Sequence, residues 1–266
     1  MMTRIDRVFT KKGAAAFIGF TVAGDPDKDT SVRIAKALID AGTDILELGV
    51  PFSDPMADGP TIQKADERAI AAGTTPDTIF AIVRELRSYS DVPIVFLVYY
   101  NMVYRRGVER FYREAHEAGV DGILIADMPV EESDEVVDVA ARYGIDPIVL
   151  VTQTTSDKRM EKIVRRARGY LYLVSVLGVT GARERVSDEA LALLARVRKH
   201  TKLPLALGFG ISTPEHVKTC AAAGADGVIV GSAIVSIVER NLRNPDVMER
   251  EIKKYVSRMK AAGSRT

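Results

Sequence analysis

Eight short runs of aliphatic and β-branched residues recur along the chain. Stretches with helical spacing lie between them, and this alternation limits the fold more than any other feature. The runs occupy 15–24, 44–50, 93–100, 121–127, 146–152, 170–178, 203–210 and 226–232. Segments 31–42, 109–119, 134–144, 188–200 and 214–224 carry apolar residues at the 3.6-residue spacing that lines one helix face. The runs are continuously apolar rather than alternating, as expected of parallel strands covered on both faces. Gly42, Gly119, Gly144 and Gly224 stand where helices should stop, and Thr213-Pro214-Glu215 reads as a helix start. Eight such units in 266 residues predict an α/β fold, a (β/α)8 or TIM barrel spanning 1–266 as a single domain. A doubly wound open sheet is the alternative, and it usually has fewer strands. Residues 75–88 read as an extra helix in the second βα unit, and 2–12 as an extra N-terminal helix closing the barrel bottom.

Composition narrows the function. Lys plus Arg (37) balance Asp plus Glu (36), so the chain lacks the basic footprint of a nucleic-acid or anionic-membrane binder. The longest apolar run, 14–23, is broken by Gly19 and falls short of the roughly 18 residues of a membrane span. The first residues carry both charge signs and no signal-peptide core, and Cys220 is the sole cysteine. A cytoplasmic protein is expected.

In a barrel of this kind the chemistry sits at the C-terminal strand ends. The second strand end reads ELGVPFSDPMADGP (47–60). Alternation along the strand puts Ile45, Glu47 and Gly49 on one face and Leu46, Leu48 and Val50 on the other. The wholly apolar set suits the helices, so Glu47 points into the barrel. A carboxylate there must be paired or functional, and no run contains a Lys or Arg to pair it. Asp54 and Asp58 follow on the loop, where capping a turn is the ordinary role of an Asp.

Glycine clusters mark the sixth, seventh and eighth strand ends: Gly178 and Gly181, Gly208 and Gly210, and Gly231 before Ser232. Glycine lets backbone N–H groups approach an anion, and phosphate sites in this fold are built from these loops and a helix start. Phe20, Leu97, Tyr99, Leu124, Tyr172 and Phe209 would line an apolar pocket, although barrel strands also carry such residues simply as core. No strand lysine is available for a Schiff base, His116, His200 and His216 fall in helical segments, and no spacing points to a metal site. Carboxylate acid–base chemistry on an apolar, phosphate-bearing substrate remains.

The segments FTVAGDP (20–26), LELGVPFSDPMADGPTIQ (46–63), ADMPVEES (126–133), LGVTGAR (177–183), GFGIS (208–212) and GSAIV (231–235) resemble, in order, the tryptophan synthase alpha chain family. The resemblance implies retro-aldol cleavage of indole-3-glycerol phosphate to indole and glyceraldehyde 3-phosphate. Glu47 then matches the catalytic proton shuttle and Asp58 the acceptor of the indole N–H. Thr180 matches the residue that positions this Asp, and Tyr172 one beside the glycerol chain. Phe20, Leu97, Tyr99, Leu124 and Phe209 match the indole pocket, and Gly181, Gly210, Gly231 and Ser232 the phosphate contacts. Asp54, Pro55 and Asn101 match the face and switch that meet a pyridoxal-phosphate-dependent beta chain in an alpha2-beta2 heterotetramer. No cofactor or metal is expected in this chain. The loops at 53–60 and 179–189 would close over substrate, with Gly59, Gly178 and Gly181 as hinges. The chain departs from the common family pattern at Gly19, Val151–Gln153 and Val176-Leu177. Rival readings are a sugar-phosphate isomerase, a stand-alone lyase releasing free indole, and a non-catalytic subunit that activates a beta partner.

Overall fold

Strand β1 (Ala16–Val22) is buried at every residue, the mark of a strand with protein on both sides. In the computed structural model, which describes residues 2–10, 13–174, 186–208 and 210–264, seven further strands join it: β2 (Ile45–Gly49), β3 (Ile94–Val98), β4 (Gly122–Ile125), β5 (Asp146–Thr152), β6 (Leu171–Val174), β7 (Leu205–Gly208) and β8 (Gly227–Val230). All neighbours pair parallel, and β8 pairs back onto β1, so the sheet closes into a barrel in chain order. This is the TIM barrel expected from the alternating pattern.

Helices α1 (Arg4–Phe9), α2 (Lys28–Asp40), α3 (Pro60–Ala71), α4 (Pro76–Tyr89), α5 (Tyr100–Arg106), α6 (Val108–Ala118), α7 (Asp134–Tyr143), α8 (Asp157–Arg166), α9 (Asp188–Arg198), α10 (Pro214–Ala222), α11 (Ser232–Arg240) and α12 (Pro245–Ala261) accompany the strands. The second unit holds both α3 and α4, which accounts for the extra helix at 75–88. Gly119 and Gly144 cap their helices at φ +99° and +64°, a region that favours glycine. Thr213 caps α10 by accepting from the His216 N–H, with Pro214 in the first turn.

The barrel has two apolar zones. Ile18, Ile45, Val95, Leu124, Ile148 and Ile229 pack inside with Tyr170 and Tyr172. Leu46, Leu48 and Val50 face outward against the helices, as the alternation on β2 requires. Helix α1 is shorter than the 2–12 expected, and it closes the barrel floor. Its Ile5 is fully buried among the interior residues. Thr3 Oγ1 donates to Asp146 at 3.0 Å, and Arg4 to Asp121 at 3.1 Å, so the helix is tied to the N-terminal ends of β4 and β5.

Five helices went unread in the sequence: α3, α5, α8, α11 and α12. In α8 only Met160 and Ile163 are buried, too thin a stripe to register as periodicity. In α12 the buried set Met248, Ile252, Val256 and Met259 does follow helical spacing.

Candidate active site

Glu47 is the third residue of β2, in register with Phe20 on β1 and Val95 on β3. It is fully buried, and neither carboxylate oxygen has a hydrogen-bond partner among the described residues. The ordinary explanation for such a group, a buried ion pair, therefore does not hold among them. Burial pushes its pKa up to about 8, and the Asp58 charge adds to the effect. Glu47 is thus a protonated acid at neutral pH. The Tyr170 hydroxyl shares the barrel interior and also lacks a partner among the described residues. Sequence reasoning passed over Tyr170, although it stands two positions before Tyr172 and so on the same face.

Asp58 lies at the end of the loop after β2, immediately before Gly59, the N-cap of α3. The Tyr99 hydroxyl donates to its Oδ2 at 2.7 Å and accepts from the Ala57 N–H at 2.9 Å. Gln63 Nε2 donates to the Asp58 carbonyl at 2.7 Å. Phe52 stacks on the Tyr99 ring with centroids 5.0 Å apart. Tyr99, expected as pocket wall, thus also braces a carboxylate. Burial raises the Asp58 pKa, and the Tyr99 hydrogen bond opposes that shift.

Two aromatic rings occupy space that glycines leave open. A Cβ on Gly49 would lie 2.8 Å from Phe20 Cζ, and one on Gly231 3.0 Å from Phe20 Cδ1. A Cβ on Gly208 would come within 2.5 Å of Tyr172 Cε1. Gly231 and Gly208 therefore serve ring packing whatever else they bind. Leu97 packs against both the interior residues and the group around Phe20 and Val22. Leu124 lies beside it on β4, fully buried.

On the same C-terminal rim Gly210 adopts φ +77° just past β7, and Ser232 opens α11 behind Gly231. Among the described residues no side chain caps α11, so its first N–H groups and positive dipole end can receive an anion. Thr180, Gly181 and Phe209 lie outside the described residues, as do 175–185 of the loop after β6. Gly59 has φ −78°, an extended conformation open to any residue, so its backbone gives no sign of a hinge. On the outer rim Asp54 is exposed and accepts from Ser53 Oγ at 2.6 Å. Pro55 is half-buried, and Asn101 is exposed in the first turn of α5. Met56 and Tyr104, at 96% and 67% exposure, add apolar surface on those same elements.

Asp25, Asp66, Asp121 and Asp146 are further buried carboxylates that the sequence pattern did not single out. Asp66 on α3 is 3% exposed, and burial followed by the charges of Asp58 and Asp25 lifts its pKa to about 8. Its neighbour Asp25 is paired with Arg68 through two bonds of 2.7 and 2.9 Å. Cys220 is buried in α10, its thiol pushed up to about 12 by burial. Among the described residues no group of His, Cys, Asp and Glu could hold a metal, and no helix is long and apolar enough to cross a membrane.

Known proteins share this sequence and fold. The family described as tryptophan synthase alpha chain matches residues 7–264. The tryptophan synthase alpha chain of Methanoregula boonei is 78% identical over 98% of this chain and 99% of its own length. That of Methanothermobacter thermautotrophicus is 48% identical over 96% and 95%. Among solved structures, Mycobacterium tuberculosis tryptophan synthase superposes with a TM-score of 0.92 at 32% identity, covering 100% of both chains. A structure of the tryptophan synthase a2b2 complex of Pyrococcus furiosus does so at 0.87 and 40% identity, covering 93% of this chain and 98% of that one. This chain belongs to the tryptophan synthase alpha chain family.

Proposed function

We propose that this chain cleaves indole-3-glycerol phosphate to indole and glyceraldehyde 3-phosphate, with Glu47 as the proton shuttle and Asp58 as the anchor for the ring nitrogen. The reading rests above all on Glu47, a protonated carboxyl buried inside the barrel, without a hydrogen-bond partner among the described residues and within electrostatic reach of Asp58.

An indole ring is flat and apolar with one N–H donor, so a narrow slot with one acceptor orients it. Phe20, Leu97 and Leu124 furnish the slot, with Tyr172 beside the glycerol chain and Asp58 as the acceptor. The substrate phosphate seats on Gly210, Gly231 and Ser232, with Gly181 from the loop after β6. Binding energy at this remote group holds the scissile C–C bond near Glu47.

Protonated Glu47 delivers its proton to ring carbon C3. Positive charge develops on the ring nitrogen, where the fixed Asp58 carboxylate stabilises it. The Glu47 carboxylate then takes the proton from the hydroxyl on the adjacent side-chain carbon. The C–C bond breaks, its electrons return to the ring, and the side-chain carbon becomes an aldehyde. Glu47 ends protonated, as it began, with the proton taken from the hydroxyl in place of the one given to C3, so one residue serves as acid and then as base. Burial suits the first half of this cycle, because it keeps the carboxyl protonated until substrate arrives.

The rim around Asp54, Pro55, Met56, Asn101 and Tyr104 faces a beta chain in an alpha2-beta2 assembly, which takes up the released indole. Pyridoxal phosphate belongs to that partner. The cytoplasm is the compartment we assign. The test is indole release by the purified chain, alone and with a tryptophan synthase beta chain added. Release that rises with the beta chain supports the reading, and an unchanged rate favours a stand-alone lyase.

A further inference from the structure

The loop leaving β7 contains one residue gripped on both sides of its backbone. The Ser212 N–H donates to Nδ1 of His216 at 3.3 Å, and the Ser212 carbonyl accepts from the Tyr255 hydroxyl at 2.9 Å. His216 is 3% exposed in the first turn of α10, where its own N–H is held by Thr213 Oγ1 at 3.2 Å. Tyr255 reaches the loop from α12. Gly210, at φ +77°, stands two residues before the gripped position.

This arrangement answers a physical need. A glycine turn samples many backbone shapes, and ordering it on binding costs affinity. An anion seat made of backbone N–H groups is tight only when those groups are already aimed. We propose that His216 and Tyr255 are positioning residues that hold the Gly210–Ser212 turn in the shape that receives the substrate phosphate. The inference rests on the reading that phosphate sits between Gly210 and the start of α11. His216 acts as an acceptor here, its Nδ1 receiving the Ser212 N–H. A Gln side chain at 216 offers an acceptor oxygen in its place, and a Leu offers none.

The experiment uses the full chain and measures kcat and KM for indole-3-glycerol phosphate, with the inhibition constant of inorganic phosphate as the direct probe. His216→Leu is expected to raise KM and the phosphate inhibition constant about five- to tenfold while kcat stays within about twofold. His216→Gln is expected to return both to within about twofold of wild type, and Tyr255→Phe to raise both about two- to threefold. A merely structural role would lower thermal stability without moving the phosphate constant, and that result overturns the proposal. Loss confined to kcat overturns it as well. Where His216→Leu does not fold, Tyr255→Phe decides: a raised phosphate constant supports the proposal, and an unchanged one overturns it. A wild-type chain that cleaves substrate yet is not inhibited by phosphate overturns the phosphate reading itself. A wild-type chain that phosphate inhibits no differently from the variants overturns this inference alone.

Discussion

Tyr99 and Asp58 come from different strand ends, and a 2.7 Å hydrogen bond joins them. The phenol is also locked by the Ala57 N–H at 2.9 Å and by Phe52 stacked on its ring. Asp58 is therefore a braced carboxylate on a loop, which is what an acceptor needs if it is to meet developing charge without reorganising.

That brace predicts a graded pair of variants. Asp58→Asn removes the charge and is expected to lower kcat/KM about 10²-fold or more, in line with the loss of one preorganised electrostatic partner. Tyr99→Phe leaves the carboxylate but frees it, and is expected to cost about three- to tenfold. Steady-state indole release by both variants checks the order. Equal losses would mean that Tyr99 does more than hold Asp58.

The Glu47 carboxyl predicts the pH dependence of activity. Its pKa is raised to about 8, and the first step needs the protonated form. kcat/KM is expected to hold on the neutral side and to fall as pH rises through about 8. A profile of indole release from pH 6 to 10 measures this. A basic limb that persists unchanged in Glu47→Gln would belong to another group.

The same shift predicts that stability, like activity, falls as pH rises. A carboxyl whose folded pKa lies above its unfolded value favours the folded state fully below the unfolded pKa, and loses that contribution as pH rises through the folded pKa. For Glu47 the window runs from 4.5 to about 8, and for Asp66 from 3.8 to about 8. Glu47→Gln and Asp66→Asn are each expected to stabilise the fold relative to wild type, little at pH 4 and by on the order of a few kcal/mol at pH 9. Glu47→Gln loses activity, whereas Asp66→Asn keeps it. Urea unfolding at both pH values tests the sign. Greater stabilisation at pH 4 than at pH 9 would contradict it.

Gly208 predicts a packing effect at the pocket. A methyl there would lie 2.5 Å from Tyr172 Cε1, so Gly208→Ala must displace the ring. Destabilisation of about 1–3 kcal/mol is expected, with a raised KM, and thermal unfolding beside steady-state kinetics measures both. Wild-type values would show that the ring moves at no cost.

The eight-strand alternation and the inward face of Glu47 were legible in the sequence, because period two on β2 separates Ile45, Glu47 and Gly49 from a wholly apolar set. The floor helix was legible too, although it runs from Arg4 to Phe9 rather than over 2–12. Contacts between distant strand ends were not. The Tyr99–Asp58 bond spans 41 residues, and the parallel pairing of β2 with β3 brings the two together. The fit of Tyr172 to Gly208, and of Phe20 to Gly49 and Gly231, likewise depends on neighbouring strands in register. Asp66 stayed hidden because α3 was not read as a helix, so nothing marked its inward face.

On this mechanism one buried carboxyl, Glu47, carries the proton in both directions. Its most direct test is single-turnover indole release from indole-3-glycerol phosphate by Glu47→Gln, alongside binding of a non-cleavable phosphate mimic. Release is expected to slow by at least about 10²-fold, with mimic affinity retained within about threefold. Release within about threefold of wild type, with the mimic still bound, would contradict it.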